Sequence, residues 1–215
     1  MRTIDQLIDR SQVWRAGETR VSCNTRSTGF DVLDRHLPGG GWPSTGLTEI
    51  LTGHYGIGEL SLLMPALARL GQGGGTGCIV WVAPPYIPYA PALHSQGIDL
   101  DRVLVVRDHT GARGNEDTLW AMEQALRFGS CAAVLAWTRS VDQVPLRRLQ
   151  LAAEAGRCWA VLFRPLGASR QRSPAVLRIR LTAIGEQTRI EILKCRGGRP
   201  GVVSIRFDDR HQGEA

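Results

Sequence analysis

The sequence predicts an α/β domain built on a mostly parallel, twisted sheet flanked by helices, with antiparallel strands at its C-terminal edge. Three observations predict it. Apolar runs of strand length alternate with segments of helical period between residues 47 and 163. A glycine loop, Gly53-His54-Tyr55-Gly56-Ile57-Gly58, joins the first apolar run to a helix-like segment. After residue 175 the helical pattern stops, and three strand-like runs follow, joined by turns such as Gly185-Glu186.

Each element has its own signal. Thr3-x-x-Gln6 resembles a capping box, with Ile4, Leu7, Ile8 and Trp14 on one face, so a short amphipathic helix is expected to end near Ala16-Gly17. A polar link, Arg15–Ser22, follows it. Phe30–His36 reads as a helix stopped by Pro38-Gly39-Gly40-Gly41. Leu47–Leu51 is a strand. Glu59–Leu70 is a helix whose regular start Pro65 delays or kinks. Cys78–Ala83, Val103–Val106, Cys131–Trp137 and Cys158–Phe163 are further strands, and Glu116–Phe128 and Pro145–Ala155 are helices between them. Val176–Ala183, Thr188–Cys195 and Val202–Phe207 close the sheet. The organisation expected is an N-terminal helix and linker over 1–22, one core domain over 23–209, and a disordered tail over 210–215.

The 215 residues suit one domain with short extensions. No apolar run approaches the roughly 20 residues that span a bilayer, and the N-terminus lacks a secretory h-region, so a cytoplasmic protein is expected. Five cysteines are scattered without a C-x-x-C pair, which argues against disulfides and zinc. No metal is assigned. The net charge is +6, and Lys194 is the only lysine, so the cationic charge is carried by arginine. Guanidinium groups bind phosphate in a bidentate manner, which fits an anionic partner, although biased composition gives the same excess.

The loop over residues 53–60 has the glycine spacing of a phosphate-binding loop, with Gly53, Gly56 and Gly58 in place. Where a lysine would reach the β- and γ-phosphates stands Glu59, and where a hydroxyl would hold Mg²⁺ stands Leu60. A carboxylate repels a phosphate and a leucine ligates no metal. The sequence therefore assigns no catalytic residue and no cofactor, and predicts a scaffold rather than an enzyme. Weak ATP binding through the loop N–H groups and the helix N-terminus stays open.

Ser27-Thr28-Gly29-Phe30-Asp31-Val32-Leu33-Asp34, the glycine turn at 39–41 and Gly46-Leu47-Thr48-Glu49-Ile50 resemble the entry to the core of RecA-type recombinases. That resemblance implies a RecA-like core. Thr188–Arg196 is similar to a RecA segment bearing two lysines that reach a neighbouring subunit's ATP, and the matching residues are Lys194 and Arg196. The departures agree with one another. Ala83-Pro84-Pro85 stands where that family has a catalytic Glu, and Val134-Leu135-Ala136-Trp137 lacks the Walker B Asp. The remnants of the two DNA-binding loops are Thr138–Val144 and Leu166–Pro174.

The combination resembles the ImuA family, accessory proteins of bacterial translesion synthesis. The matching stretches include Leu119–Arg127, Ala133–Trp137, Ser173–Arg178 and Leu193–Arg199. The resemblance implies a DNA-damage (SOS) protein of mutagenic repair that works with an ImuB-type Y-family-like protein, a C-family error-prone polymerase and RecA. Single-stranded DNA is a further candidate partner. Similar sequences are also labelled SulA-like cell-division inhibitors, so that reading and an ATP-dependent DNA-binding ATPase remain as alternatives.

Two sets of residues are candidates for contact. Arg164, Arg170 and Arg172 flank or occupy the loop Leu166–Pro174, which suits DNA phosphates, but the loop has no aromatic residue to stack on a base. Lys194, Arg196 and Arg199 form a cationic turn which, with Tyr86 and Tyr89 in a proline-rich loop, makes a candidate partner interface. The bland alternatives are a solvated loop and an exposed hairpin.

Overall fold

The computed structural model describes residues 24–72, 77–107 and 114–207. The expected N-terminal helix, Cys23 and the tail lie outside them. Eight strands form the main sheet, in the order β10-β9-β8-β3-β7-β6-β4-β5. They are β3 (Gly46–Thr52), β4 (Cys78–Val82), β5 (Val103–Val106), β6 (Cys131–Trp137), β7 (Trp159–Pro165), β8 (Leu177–Ile184), β9 (Gln187–Cys195) and β10 (Gly201–Ile205). The run from β8 to β5 is parallel, and β9 and β10 add antiparallel pairings at one edge. A two-stranded ribbon of β1 (Thr25–Arg26) and β2 (Trp42–Pro43) precedes it. The helices are α1 (Asp31–Asp34), α2 (Met64–Gln72), α3 (Ala90–Ser95), α4 (Gly114–Arg127) and α5 (Gln143–Ala155).

Helix α2 starts later than the apolar pattern alone indicates, because Pro65 sits at its second residue and turns occupy 59–63. Strand β3 is buried along its whole length, as a continuous apolar run in a parallel sheet should be. Two cores lie on opposite faces. One contains Trp42, Trp81, Trp137, Trp159 and Phe163, where the Trp137 and Phe163 rings stack at 4.6 Å. The other packs Leu47, Val134, Ala160 and Leu162 beneath Met122, Leu126, Leu146 and Leu149 of α4 and α5. At the start of β3, the buried Gln150 side chain accepts from the Leu47 N–H at 2.9 Å.

The centre of β3 holds a charge. Glu49 is 0% exposed. Its Oε1 accepts from Arg164 Nη1 at 3.0 Å and from Ser173 Oγ at 2.8 Å, and its Oε2 accepts from Arg178 Nε at 2.6 Å. The geometry follows from register: Arg178 is the direct partner of Glu49 across β8, and Arg164 lies two residues beyond its partner Leu162 on β7. The Nη atoms of the two guanidinium groups donate in turn to the carbonyls of Val141, Ala168 and Gln171 and to Gln171 Oε1, while the buried Arg164 Nε has no partner among the described residues.

The RecA-like core that the motif resemblance implies is corrected here, because the segments that carried it do local work in a sheet of mixed orientation. Asp34 accepts from Ser27 Oγ at 2.7 Å and from the Thr28 N–H at 2.8 Å, which closes the turn before α1. Gly29 has φ +88°, and a Cβ there would lie 2.5 Å from Pro65 Cβ, so this glycine lets the α1 turn pack on α2. Glu49 belongs to the ion-pair cluster.

Two predictions follow from this core. Removing one member of a buried ion pair leaves its partner charge uncompensated, so Glu49→Ala should cost about 3–5 kcal/mol in denaturant unfolding. Burial, with a smaller effect of nearby Cys131, pushes the Cys158 thiol up to about 12 from an ordinary value of 9.0. The folded state thus holds this proton more tightly than the unfolded chain. Its contribution is complete below about pH 9 and is lost as pH rises from there toward 12, at most ~1.4 kcal/mol per pH unit. Unfolding free energies measured across that range should fall with pH, and less steeply in Cys158→Ala.

Candidate functional site

The glycine loop leaves β3 at Gly53 and ends against the turns before α2. Gly56 and Gly58 have φ of +88° and +95°, which turns the loop back on itself. The Glu59 side chain, 5% exposed, occupies the resulting concavity. Its Oε1 accepts from the Gly56 N–H at 2.9 Å, and its Oε2 accepts from the Gly56 and Ile57 N–H groups at 3.0 Å. Two of the loop's backbone donors, the Gly56 and Ile57 N–H groups, are thus satisfied by the chain's own carboxylate. Phe207, beyond β10, packs on the loop: a Cβ added to Gly58 would lie 2.0 Å from its ring. Leu60 is partly buried against the core. Glu59 is therefore a structural anion, and Phe207 is a contributor that the spacing of the loop did not reveal.

Beside this loop, at the carboxyl ends of β4, β5 and β6, lies an open cavity of about 670 Å³. Open α/β sheets commonly place ligands at this edge. Tyr55, the 83–88 segment, Val105, Arg107, Thr118, Trp137 and Arg139 are among its lining residues. Asn115 at the start of α4 fixes one wall: its Nδ2 donates to the Ser140 carbonyl, and its Oδ1 accepts from the Arg139 N–H at 3.2 Å. The opposite wall begins at Ala83, whose φ of +50° is uncommon for a residue with a side chain, and its N–H donates to the Val106 carbonyl at 2.8 Å. The Tyr55 hydroxyl is held above its ordinary range by burial and by Glu59, with Arg139 opposing them.

The cavity lining includes exposed apolar side chains, Tyr86, Ile87 and Val105, and further exposed apolar residues lie near them in the chain. Tyr86 and Tyr89 are 74% and 71% exposed, and Ile87 is also exposed. Leu104, Val105 and Val106 of β5 are exposed as well, and among the described residues β5 pairs only with β4. Both tyrosine rings are thus open to solvent. The arginines divide differently from the sequence expectation. Arg170 and Arg172 are exposed, but Arg164 is 1% exposed and is committed to Glu49, so it is no DNA-contact residue. Lys194 Nζ donates to the Ser173 carbonyl at 2.8 Å, and Arg196 pairs with Glu154 at 3.1 Å on the surface. Arg199 is exposed. The ammonium of Lys194 is lowered by burial and by Arg196 and Arg178, against Glu49. The sequence reading missed Arg107 and Arg139 as a pair, because residues 32 apart meet only through the pairing of β4 with β5 and β6.

Among the described residues, no group of three or more His, Cys, Asp or Glu side chains is arranged to hold a metal ion. No described helix is long and apolar enough to cross a membrane.

The Glu59 contacts give a direct prediction. Glu59→Ala leaves two loop donors without their acceptor, and should cost about 1–3 kcal/mol in urea unfolding. Calorimetry with Mg-ATP should detect no saturable binding to the wild-type protein.

Residues 49–160 match the family model described as cell division inhibitor SulA. The chain is 30% identical over 208 residues to protein ImuA of Caulobacter vibrioides, an alignment covering 85% of this chain and 83% of that one. It is 32% identical over 106 residues to the cell division inhibitor SulA of Edwardsiella piscicida, covering 49% of this chain and 60% of the relative. A crystal structure of SulA from Pseudomonas aeruginosa is 24% identical, with a TM-score of 0.45, over 55% of this chain and 97% of that one. The family model is thus of the SulA type rather than of a recombinase, in line with the correction of the fold. With this identity and coverage, the chain belongs to the ImuA family and carries a SulA-type domain.

Proposed function

We propose that this protein is a non-enzymatic accessory factor of SOS-induced translesion DNA synthesis, acting in the cytoplasm by holding other proteins together. Family membership supports the pathway. The observation that supports the non-enzymatic part is the Glu59 carboxylate inside its own loop, where it takes the Gly56 and Ile57 N–H groups and sets a negative charge where a transferring phosphate would lie. An ATP-dependent mechanism has no evident place in this reading.

The partners proposed are an ImuB-type protein, an error-prone C-family polymerase and RecA. The surface offered to them comprises the exposed Tyr89 and Leu104 and the edge of β5 that pairs with no strand among the described residues. Exposed aromatic side chains next to an open strand edge provide anchors of the kind that dominate binding energy. The exposed Arg196 and Arg199 supply a second, cationic contact at the other end of the sheet.

One observation favours a second reading. The SulA family model covers residues 49–160, so inhibition of cell division is the alternative. Complementation separates the two. In a bacterium lacking its own copy, the wild-type gene should restore damage-induced mutation frequency. Tyr89→Ala with Leu104→Asp should lower it by about tenfold or more, the size expected when a hot-spot anchor is lost. Both side chains are exposed, so thermal stability should not change. Filamentation on expression, with no effect on mutation frequency, would instead identify a division inhibitor.

A further inference from the structure

The cavity at the carboxyl ends of β4, β5 and β6 combines three properties. Among the described residues its charge has one sign: Arg107 and Arg139 line it, and no carboxylate does. The acidic residues nearest in sequence on α4, Glu116 and Asp117, are not among its lining residues. The N-terminal end of α4 contributes Asn115 and Thr118, so the positive end of a 14-residue helix adds to the two guanidinium groups. Its walls carry aromatic and flat apolar surface, from Tyr55, Tyr86 and Pro84. At about 670 Å³ it falls in the size range of cavities that take a small organic ligand.

We infer that this cavity receives a nucleotide unit of a single-stranded nucleic acid, with phosphate on Arg107 and Arg139 and a base against Tyr86 or Tyr55. Guanidinium groups that follow a backbone, beside aromatic faces for the bases, are the means by which proteins hold single strands without reading sequence. A duplex does not fit this arrangement, since its bases are stacked inside and present no free face. The loop 166–174 lacks this combination, because Arg164 is buried and no aromatic residue stands beside Arg170 and Arg172. An acidic peptide would satisfy the arginines but would leave no role for the tyrosine faces.

The inference extends the proposed function by placing DNA on the same protein. Its test uses purified full-length protein without partners, so its outcome is independent of the mutagenesis result. The probe is a fluorescein-labelled oligothymidylate of about 16 nucleotides, the upper end of site sizes for such grooves, followed by anisotropy. Salt is varied from about 50 to 200 mM. Wild-type protein should bind, and more weakly as salt rises. Arg107→Ala with Arg139→Ala should weaken binding at least tenfold, and should lower the slope of log K against log salt by about 1.4, the value for two lost phosphate contacts on a single strand. Tyr86→Ala should weaken it about fivefold or more with the slope unchanged, as loss of stacking requires. Arg170→Ala with Arg172→Ala should bind as the wild type does. The inference is overturned by absence of binding at the lowest salt, or by wild-type affinity in both cavity variants. It is equally overturned by transfer of the loss to the Arg170 and Arg172 variant, by equal affinity for a duplex, or by displacement of the strand by equimolar thymidine monophosphate.

Discussion

A single negative charge in the middle of the most buried strand constrains much of this molecule. Glu49 has no access to water, and a carboxylate in that position must be neutralised and fully hydrogen-bonded. The two arginines that do so come from the strands on either side of β3, and each is anchored in turn by the 166–171 turn or by Val141. Replacing such a cluster by apolar side chains of equal volume is often neutral or stabilising, so net stability is a poor account of it. Its physical consequence is register. A one-residue slip of β8 would turn Arg178 to the opposite face and leave Glu49 with an unanswered charge. The same contacts tie the turn after β7 to the core, and Ser173 links Glu49 to Lys194 at the start of the antiparallel edge.

The carboxylates in the motif segments share this inward use. Asp34 closes the turn at Ser27 and Thr28, Glu49 neutralises two arginines, and Glu59 fills the glycine loop. A sequence frame associated with phosphate chemistry is therefore occupied by internal anions. Positive charge is left to face outward at the cavity and at the C-terminal turn, in keeping with the net charge of +6. In this division glycines at 53, 56 and 58 set the backbone path, and residue 59 decides what the path encloses.

Much of the layer structure was legible because the parallel strands are continuous apolar runs separated by helical periods. The antiparallel edge was legible because its strands follow one another across short turns. Glu59 and Leu60 were legible as departures from the glycine frame, since position within it singles them out. What Glu59 does instead was not legible, because a side chain that accepts from N–H groups two and three residues before it depends on the loop's positive φ angles. Arg164 was misplaced for a similar reason. An arginine ending an apolar strand reads as an exposed end, and only the register of β3 with β7 and β8 brings Glu49 to it. Leu47-Thr48-Glu49-Ile50-Leu51 did carry the available signal: an acid inside a buried run needs a cationic partner. The Arg107 and Arg139 pair carried none, since it arises from the spatial order of β5, β4 and β6.

The segment from Ala83 to Tyr89 links the two surfaces at this end of the molecule. Its first residue is fixed by a positive φ and by the hydrogen bond to Val106, which ties the segment to the edge strand. Tyr86, Pro84, Pro85 and Pro88 line the cavity together with Val105 of β5, whereas the exposed Tyr89 is outside that lining. A ligand in the cavity and a protein on Tyr89 would therefore touch one short, proline-stiffened element. Coupling between such sites is reciprocal: whatever free energy a bound strand adds to partner docking, docking adds to strand binding. Proline stiffness favours transmission, because a segment with few accessible backbone states has little freedom to absorb a displacement locally. The physical connection for such coupling would be the backbone from Ala83 to Tyr89.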